Sequence, residues 1–266
     1  MPAACALTGT ADSKFVKAHL YPKACYPRDD KTEPMALIGT RIEERPKRSW
    51  EGLYDSNILS QDGETILSAI DSRGLEILKP NESASKLSER ADQVLGNKLN
   101  PIGMVLSQER TEPVLLFIAS VLWRFHVSQM QGATNVNLGR YAEDFRQAIL
   151  KNSIEPISFF EVLINKLTDT VGGIVITPAR FKDKDGANLY EMIFGGYRYW
   201  AKVDSGRQFE APIRTIATRR GGKVIVICRD YQSSKSYKKF TTAAKRQVAA
   251  HGLPWNNAIK QKYGLN

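Results

Sequence analysis

Residues 111–132, TEPVLLFIASVLWRFHVSQMQG, constrain this chain more than any other stretch. The segment from Val114 to Trp123 is almost wholly apolar, and Arg124 and His126 follow at once. It falls short of the ~20 apolar residues that a membrane span requires. A helix that is apolar nearly all round must therefore lie at the centre of a folded domain. Thr111 reads as its N-cap, Pro113 as a first-turn residue and Gly132 as its stop. The rest of the chain must supply the layers around it.

Two periodicities do so. Helical spacing marks Gln61 to Leu78, with Ser60 as N-cap and Gly74 as a point of weakness. It also marks Ser83 or Ser85 to Gly96, then Tyr141, Phe145, Ala148 and Ile149. EPISFFEVLINKLTD reads as a further helix, with Phe159, Phe160, Leu163, Ile164 and Leu167 buried. After Gly172 and Gly173 the pattern becomes β. GIVITPARF and LYEMIFGGYRYWAKV flank the turn Lys184-Asp185-Gly186, and IRTIAT and KVIVICR flank RRGG. That predicts a four-stranded antiparallel meander over 173–229. A basic helix is expected from Thr242 to His251, stopped by Gly252 and Pro254. Upstream, KFVKAHLYP reads as a short strand or hairpin ending near His19, and Ala36 to Arg45 as a strand. The expected class is α+β, in four parts: 1–80, a helical region 81–172, the meander 173–230 and a basic tail 231–266.

Charge is unevenly placed. Of 38 Lys and Arg and 28 Asp and Glu, the last 48 residues hold 11 bases and one acid, Asp230, so the net +10 resides there. Arg219, Arg220, Lys235, Lys238, Lys239, Lys245 and Arg246, with Tyr231, Tyr237 and Phe240 between them, suit phosphate contact and base stacking. The expected partner is DNA or RNA, bound without base-specific readout. A solvated tail that binds nothing is the competing reading. Three distant cysteines, Cys5, Cys25 and Cys228, give no disulfide framework and fit a reducing cytoplasm. The N-terminus has no basic region followed by an apolar one, so no signal peptide is expected. Phosphate-loop, dinucleotide, serine-hydrolase, zincin and C-x-x-C motifs are absent. His126 reads as a core or edge histidine, His251 as a helix-end residue, and the FGGYRYW aromatics as sheet packing.

The segments CALTG…KFVKAHLYPKA and YDSNILSQDGETILSAID resemble the C-x-x-C…SHIIPK and YD-x-N-[IL]-L-C-x-x-C segments of bacterial HNH-like proteins. That family is of the ββα-metal, treble-clef type. LLFIASVLWRFHVS and NVNLGRYAEDFRQAIL are similar to its SxxWR helix and the V-x-LG helix after it, and the Gly-rich strand MIFGGYRYWAKV also fits. The resemblance covers most of residues 5–203 and implies a small N-terminal ββα module over 1–80. It also implies metal-dependent phosphodiester hydrolysis, in phage-defence or mobile-element settings. His19 would then be the general base, Asn57 its orienting partner and Glu64 a further catalytic group; the competing readings are a hydrogen-bonded structural histidine, a turn residue and a first-turn helix acid. Asp55 and Glu64 would hold Mg²⁺ or Mn²⁺. The chain departs from the pattern at the zinc knuckles. Cys5 stands alone, with Thr8, Ser60 and Gly63 where the other three cysteines would be, so structural zinc is not expected. A scaffold or adaptor using a relic module is the second reading, with a protein partner or a second copy on the helical middle.

Overall fold

A computed structural model describes residues 4–11, 14–26, 35–37, 47–130, 136–168, 175–232 and 234–251. The N-terminal part is a clasp of short pairings. Strand β1 (Ala18–His19) pairs antiparallel with β4 (Tyr54–Asp55), and β2 (Met35–Leu37) with β3 (Lys47–Ser49). The remainder of the expected strand, 38–45, lies outside the described residues.

Helix α1 spans Gln61–Leu78, as its periodicity predicts. The Ser60 hydroxyl accepts from the Gly63 N–H at 3.3 Å and so satisfies one of the four free donors at the helix start. The helix is continuous through Gly74. A Cβ there would sit 2.3 Å from Phe117 Cγ, so glycine lets α1 approach α3 (Thr111–Val127) closely. Every residue of α3 from Val114 to Phe125 is buried, which is the central position its composition requires. Thr111 begins the helix rather than capping it, because its hydroxyl donates to the Gly222 carbonyl instead. The helix ends at Val127, before the expected Gly132, where Ser128 turns extended. Helix α4 (Ala142–Lys151) buries Phe145, Ala148 and Ile149 against this layer. No helix among the described residues is long and apolar enough to cross a membrane.

Two expected helices are largely strand. Only α2 (Ala84–Ser88) forms in 83–96. Ser88 Oγ hydrogen-bonds the Ser85 and Lys98 carbonyls, and the chain turns into β5 (Gln93–Gly96) and then β6 (Pro101–Leu106). EPISFFEVLINKLTD gives a short 3-10 turn and then β7 (Glu161–Leu167). Residues Val162–Leu167 are all buried, so both faces are covered and no alternation marks the strand.

The C-terminal half also differs from a simple meander. Strands β8 (Ile176–Lys182), β9 (Asn188–Phe194) and β10 (Tyr197–Lys202) do run antiparallel in sequence order. IRTIAT is instead a turn of helix, α5 (Ala211–Arg214), and a two-residue strand, β11 (Thr218–Arg219), that pairs with β7. Strand β12 (Val224–Arg229) crosses over and lies parallel to β7 and antiparallel to β6. The sheet order is β5-β6-β12-β7-β10-β9-β8. Helix α6 (Lys235–His251) starts earlier than expected, with Ser234 Oγ accepting from the Tyr237 N–H.

The clasp, the helices and the sheet share one core. Tyr21 packs on Phe125 and Phe194 with ring centroids 4.8 and 4.6 Å apart. Its hydroxyl donates to the Ile176 carbonyl at 2.7 Å. Phe194, Tyr197 and Tyr199 are buried within the same core, so the aromatics of the Gly-rich strand pack the sheet.

Candidate functional site: a cleft around His19

His19 lies at the end of β1, on the wall of a cleft of about 450 Å³. The opposite wall is α1, which contributes Glu64, Ser68, Asp71 and Ser72. These positions are four, seven and eight residues apart and so share one helix face. Lys17, Lys23 and Glu51 complete the rim. His19 Nε2 and Glu64 Oε2 are both buried, and neither has a hydrogen-bond partner among the described residues. An unpaired buried polar atom is costly and needs an explanation. Here two of them line one cleft.

Their electrostatics differ in sign. Burial, helped by nearby Lys23, lowers the pKa of His19 below its ordinary 6.5. The ring is therefore neutral at neutral pH, the form a general base requires. Burial raises Glu64 above the ordinary carboxyl range, with Arg124 partly opposing the shift.

Arg124 fixes this geometry from behind. Its guanidinium is buried and forms a two-pronged pair with Asp71, at 2.9 and 2.7 Å. Nη1 also donates to the His19 backbone carbonyl at 2.9 Å. One side chain thus ties α3, α1 and β1 together. The sequence reading passed over Asp71 and Arg124. The polar stripe at 64, 68, 71 and 72 on an otherwise amphipathic helix is the signal that points to the cleft wall.

The other expected site residues lie elsewhere. Asp55 is opposite Ala18 in the β1–β4 ladder, while His19 is opposite Tyr54. Successive side chains alternate between faces, so Asp55 is on the face away from His19. Both of its oxygens are engaged. Oδ1 accepts from the Asn57 N–H, and Oδ2 from Ser128 Oγ and the Gln129 N–H. Asp55 holds the chain at the end of α3 and is not available as a metal ligand in this arrangement. Asn57 is exposed in the following turn and does not line the cleft. Glu51 is paired with Lys17 and Lys23. Among the described residues Glu64 therefore offers the free carboxylate oxygen of the cleft. Among the described residues no cluster of three His, Cys, Asp or Glu side chains is placed to hold a metal. One carboxylate fits a Mg²⁺ or Mn²⁺ ion that keeps several waters and is shared with substrate phosphates.

The four knuckle positions meet at a single point. Cys5 Sγ accepts from the Ser60 N–H at 3.3 Å. A Cβ on Gly63 would lie 3.0 Å from the same sulfur. Burial pushes the Cys5 thiol up, but hydrogen bonds from Ser60 and Thr8 outweigh it and bring the pKa down to about 7. Hydrogen bonds and packing thus join the first turn to the start of α1.

On α6, Lys238, Lys245 and Arg246 are exposed, and Lys238 and Lys245 share a face. The side chains of Lys235 and Lys239 lie outside the described residues. Arg219 and Arg220 are exposed at the β11–β12 turn, away from α6 in sequence. His126 is satisfied by the 136–138 backbone, with Nδ1 3.3 Å from the Val136 carbonyl. The apolar surface of α3 is spent in the core, so the middle region presents its large apolar side chains on the β5–β6 hairpin, at Leu95, Leu99 and Ile102.

No protein-family model, curated protein or solved structure matches the chain.

Proposed function

We propose that this protein binds nucleic acid and hydrolyses phosphodiester bonds at the His19 cleft with the help of a divalent cation. The observation that carries the reading is the pair of unpartnered buried atoms, His19 Nε2 and Glu64 Oε2, lining one cleft rimmed by Lys17 and Lys23. His19 accepts a proton from water as the water attacks phosphorus; the P–O bond to the leaving sugar oxygen breaks, and that oxygen takes a proton from solvent. Lys17 and Lys23 attract the phosphate. Glu64 would hold the ion, which would supply charge stabilisation for the phosphate oxygens. Arg124 and Asp71 keep β1 seated on α1, so that His19 and Glu64 stay within one cleft. The meeting of Cys5, Thr8, Ser60 and Gly63 supports descent from an HNH-like module whose knuckles have been replaced by hydrogen bonds.

The test is plasmid cleavage with Mg²⁺ or Mn²⁺ by the wild type beside His19→Ala and Glu64→Gln. Cleavage by the wild type, lost in both variants, is expected. Equal cleavage by all three, or none by any, removes the catalytic reading. The second reading, a non-catalytic interaction protein, draws on the exposed Leu95, Leu99 and Ile102 of the β5–β6 hairpin. It predicts a bound protein partner and no cleavage.

A further inference from the structure

A larger cleft, of about 820 Å³, lies on a different part of the molecule. It is built from the turn between β8 and β9, the loop after β10, and the α5–β11 segment. We infer that this arginine-lined cleft is a nucleic-acid-binding site that takes the phosphodiester backbone. The inference rests on the proposed nucleic-acid function and adds a surface to it, with Arg207 and Arg214 as binding residues beside Arg219.

Charge is the first argument. Arg207, Arg214 and Arg219 all line the cleft and all are exposed, and none of them makes an ion pair among the described residues. Elsewhere Arg90, Arg124, Arg146 and Arg198 are each paired with a carboxylate. Three unneutralised guanidinium groups around one concavity repel one another and attract anions. Among the described residues Asp185 is the one carboxylate on the lining, and Glu161, opposite Arg219 in the ladder, forms no ion pair with it. Planar guanidinium forks suit the paired oxygens of a phosphate better than ammonium groups do.

Preorganisation is the second argument. The loop that carries Arg207 is fastened from beneath. Buried Asp204 accepts from the Arg207 N–H at 3.1 Å, and from the Asn188 backbone and side-chain N–H groups at 2.8 and 2.7 Å. Buried Lys202 donates to the Phe159 and Asp204 carbonyls, both at 2.8 Å. The Arg207 guanidinium lies over the hairpin turn and donates to the Asp185 carbonyl. Gly186 there has φ +80°, and a Cβ would come within 3.1 Å of Arg207 Nη1. Holding a long cation in place before binding lowers the ordering cost that binding otherwise carries. The exposed Arg220 and Lys223 continue the positive surface past Arg219, which suits an extended strand.

The test uses the full chain and its Arg207→Gln, Arg214→Gln, Arg219→Gln triple variant. Fluorescence anisotropy is measured with labelled single-stranded DNA, duplex DNA and single-stranded RNA of about 20 nucleotides between about 50 and 200 mM salt. All three side chains are exposed, so an unchanged thermal midpoint is expected. Loss of three phosphate contacts predicts at least a tenfold drop in affinity at low salt, and a log–log salt slope shallower by about 2 to 3. If the wild type binds but the triple variant binds equally well with the same slope, this inference fails and the His19 reading stands. If the wild type binds neither DNA nor RNA at low salt, the nucleic-acid function itself fails. Binding of polyglutamate that the triple variant loses, with nucleic-acid affinity unchanged, would assign the cleft to an acidic protein and overturn the inference.

Discussion

Arg124 shows how much can depend on one side chain. Its guanidinium is buried between α1, α3 and the end of β1, and it neutralises Asp71. Replacing it with methionine leaves the Asp71 carboxylate in the cleft wall without its cation. Breaking one side of a buried pair costs about 3–5 kcal/mol. Arg124→Met is therefore expected to be strongly destabilised in urea, and the added change Asp71→Leu to recover much of that loss. Failure of the second change to recover stability would show that the His19 carbonyl contact is the larger part. His19 supplies the other prediction at this scale. Its pKa is lowered by burial and by Lys23, so the unfolded chain takes up the proton first as pH falls. Stability linked to neutral His19 is complete above the ordinary 6.5 and is lost as pH falls from there through the folded value. Glu64, shifted upward, acts in the opposite sense and loses stability as pH rises through its own window. Comparing thermal midpoints of the wild type and His19→Gln isolates the histidine. The wild type should lose ground to the variant as pH drops below 6.5. A difference that is constant with pH contradicts a lowered His19.

Elements differ in how plainly the chain announces them. Helix α1 carries its own start in Ser60, its own apolar stripe and the αL residue Lys79 at its end, so local chemistry defines it fully. Helix α3 is equally plain, because only a central position can absorb so many apolar side chains. Strand β7 is not. Leu163, Ile164 and Leu167 fit helical spacing, and burial on both faces removes the alternation that marks a strand. Strand β12 was legible as a strand but not in its place, because a parallel pairing with β7 across a crossover leaves no local signal. The same limit applies to the site. The motif pattern points to His19 and Glu64, which do share a cleft, but Asp55 is turned away by the two-residue periodicity of its strand. The sheet order makes a direct prediction. In native-state hydrogen exchange the amides of β7 and β12, each flanked on both sides, should be among the slowest in the protein. The edge strand β5 should exchange faster. Rapid exchange throughout β7 would contradict its central place.

At the scale of the whole molecule, exposed basic side chains fall on separate surfaces. Exposed lysines and an arginine on α6 form one, and the cleft of Arg207, Arg214 and Arg219 forms another. A third site, where Lys17 and Lys23 pair with Glu51, lies beside His19. In the proposed arrangement the first two hold a strand through its backbone, and the third meets the phosphate that reacts. Binding to the first two surfaces should weaken steeply with salt, because each phosphate contact releases counterions. The most direct test of the account is the single-turnover rate of DNA cleavage with Mn²⁺ by the wild type and His19→Gln, from about pH 5 to about pH 9. The account predicts a wild-type rate that falls away on the acid side with a midpoint below 6.5, and a variant slower by about a hundredfold or more with that limb gone. Equal rates for the two proteins, or an acid limb of unchanged midpoint in His19→Gln, would contradict it; any limb left by Glu64 protonation has its own midpoint.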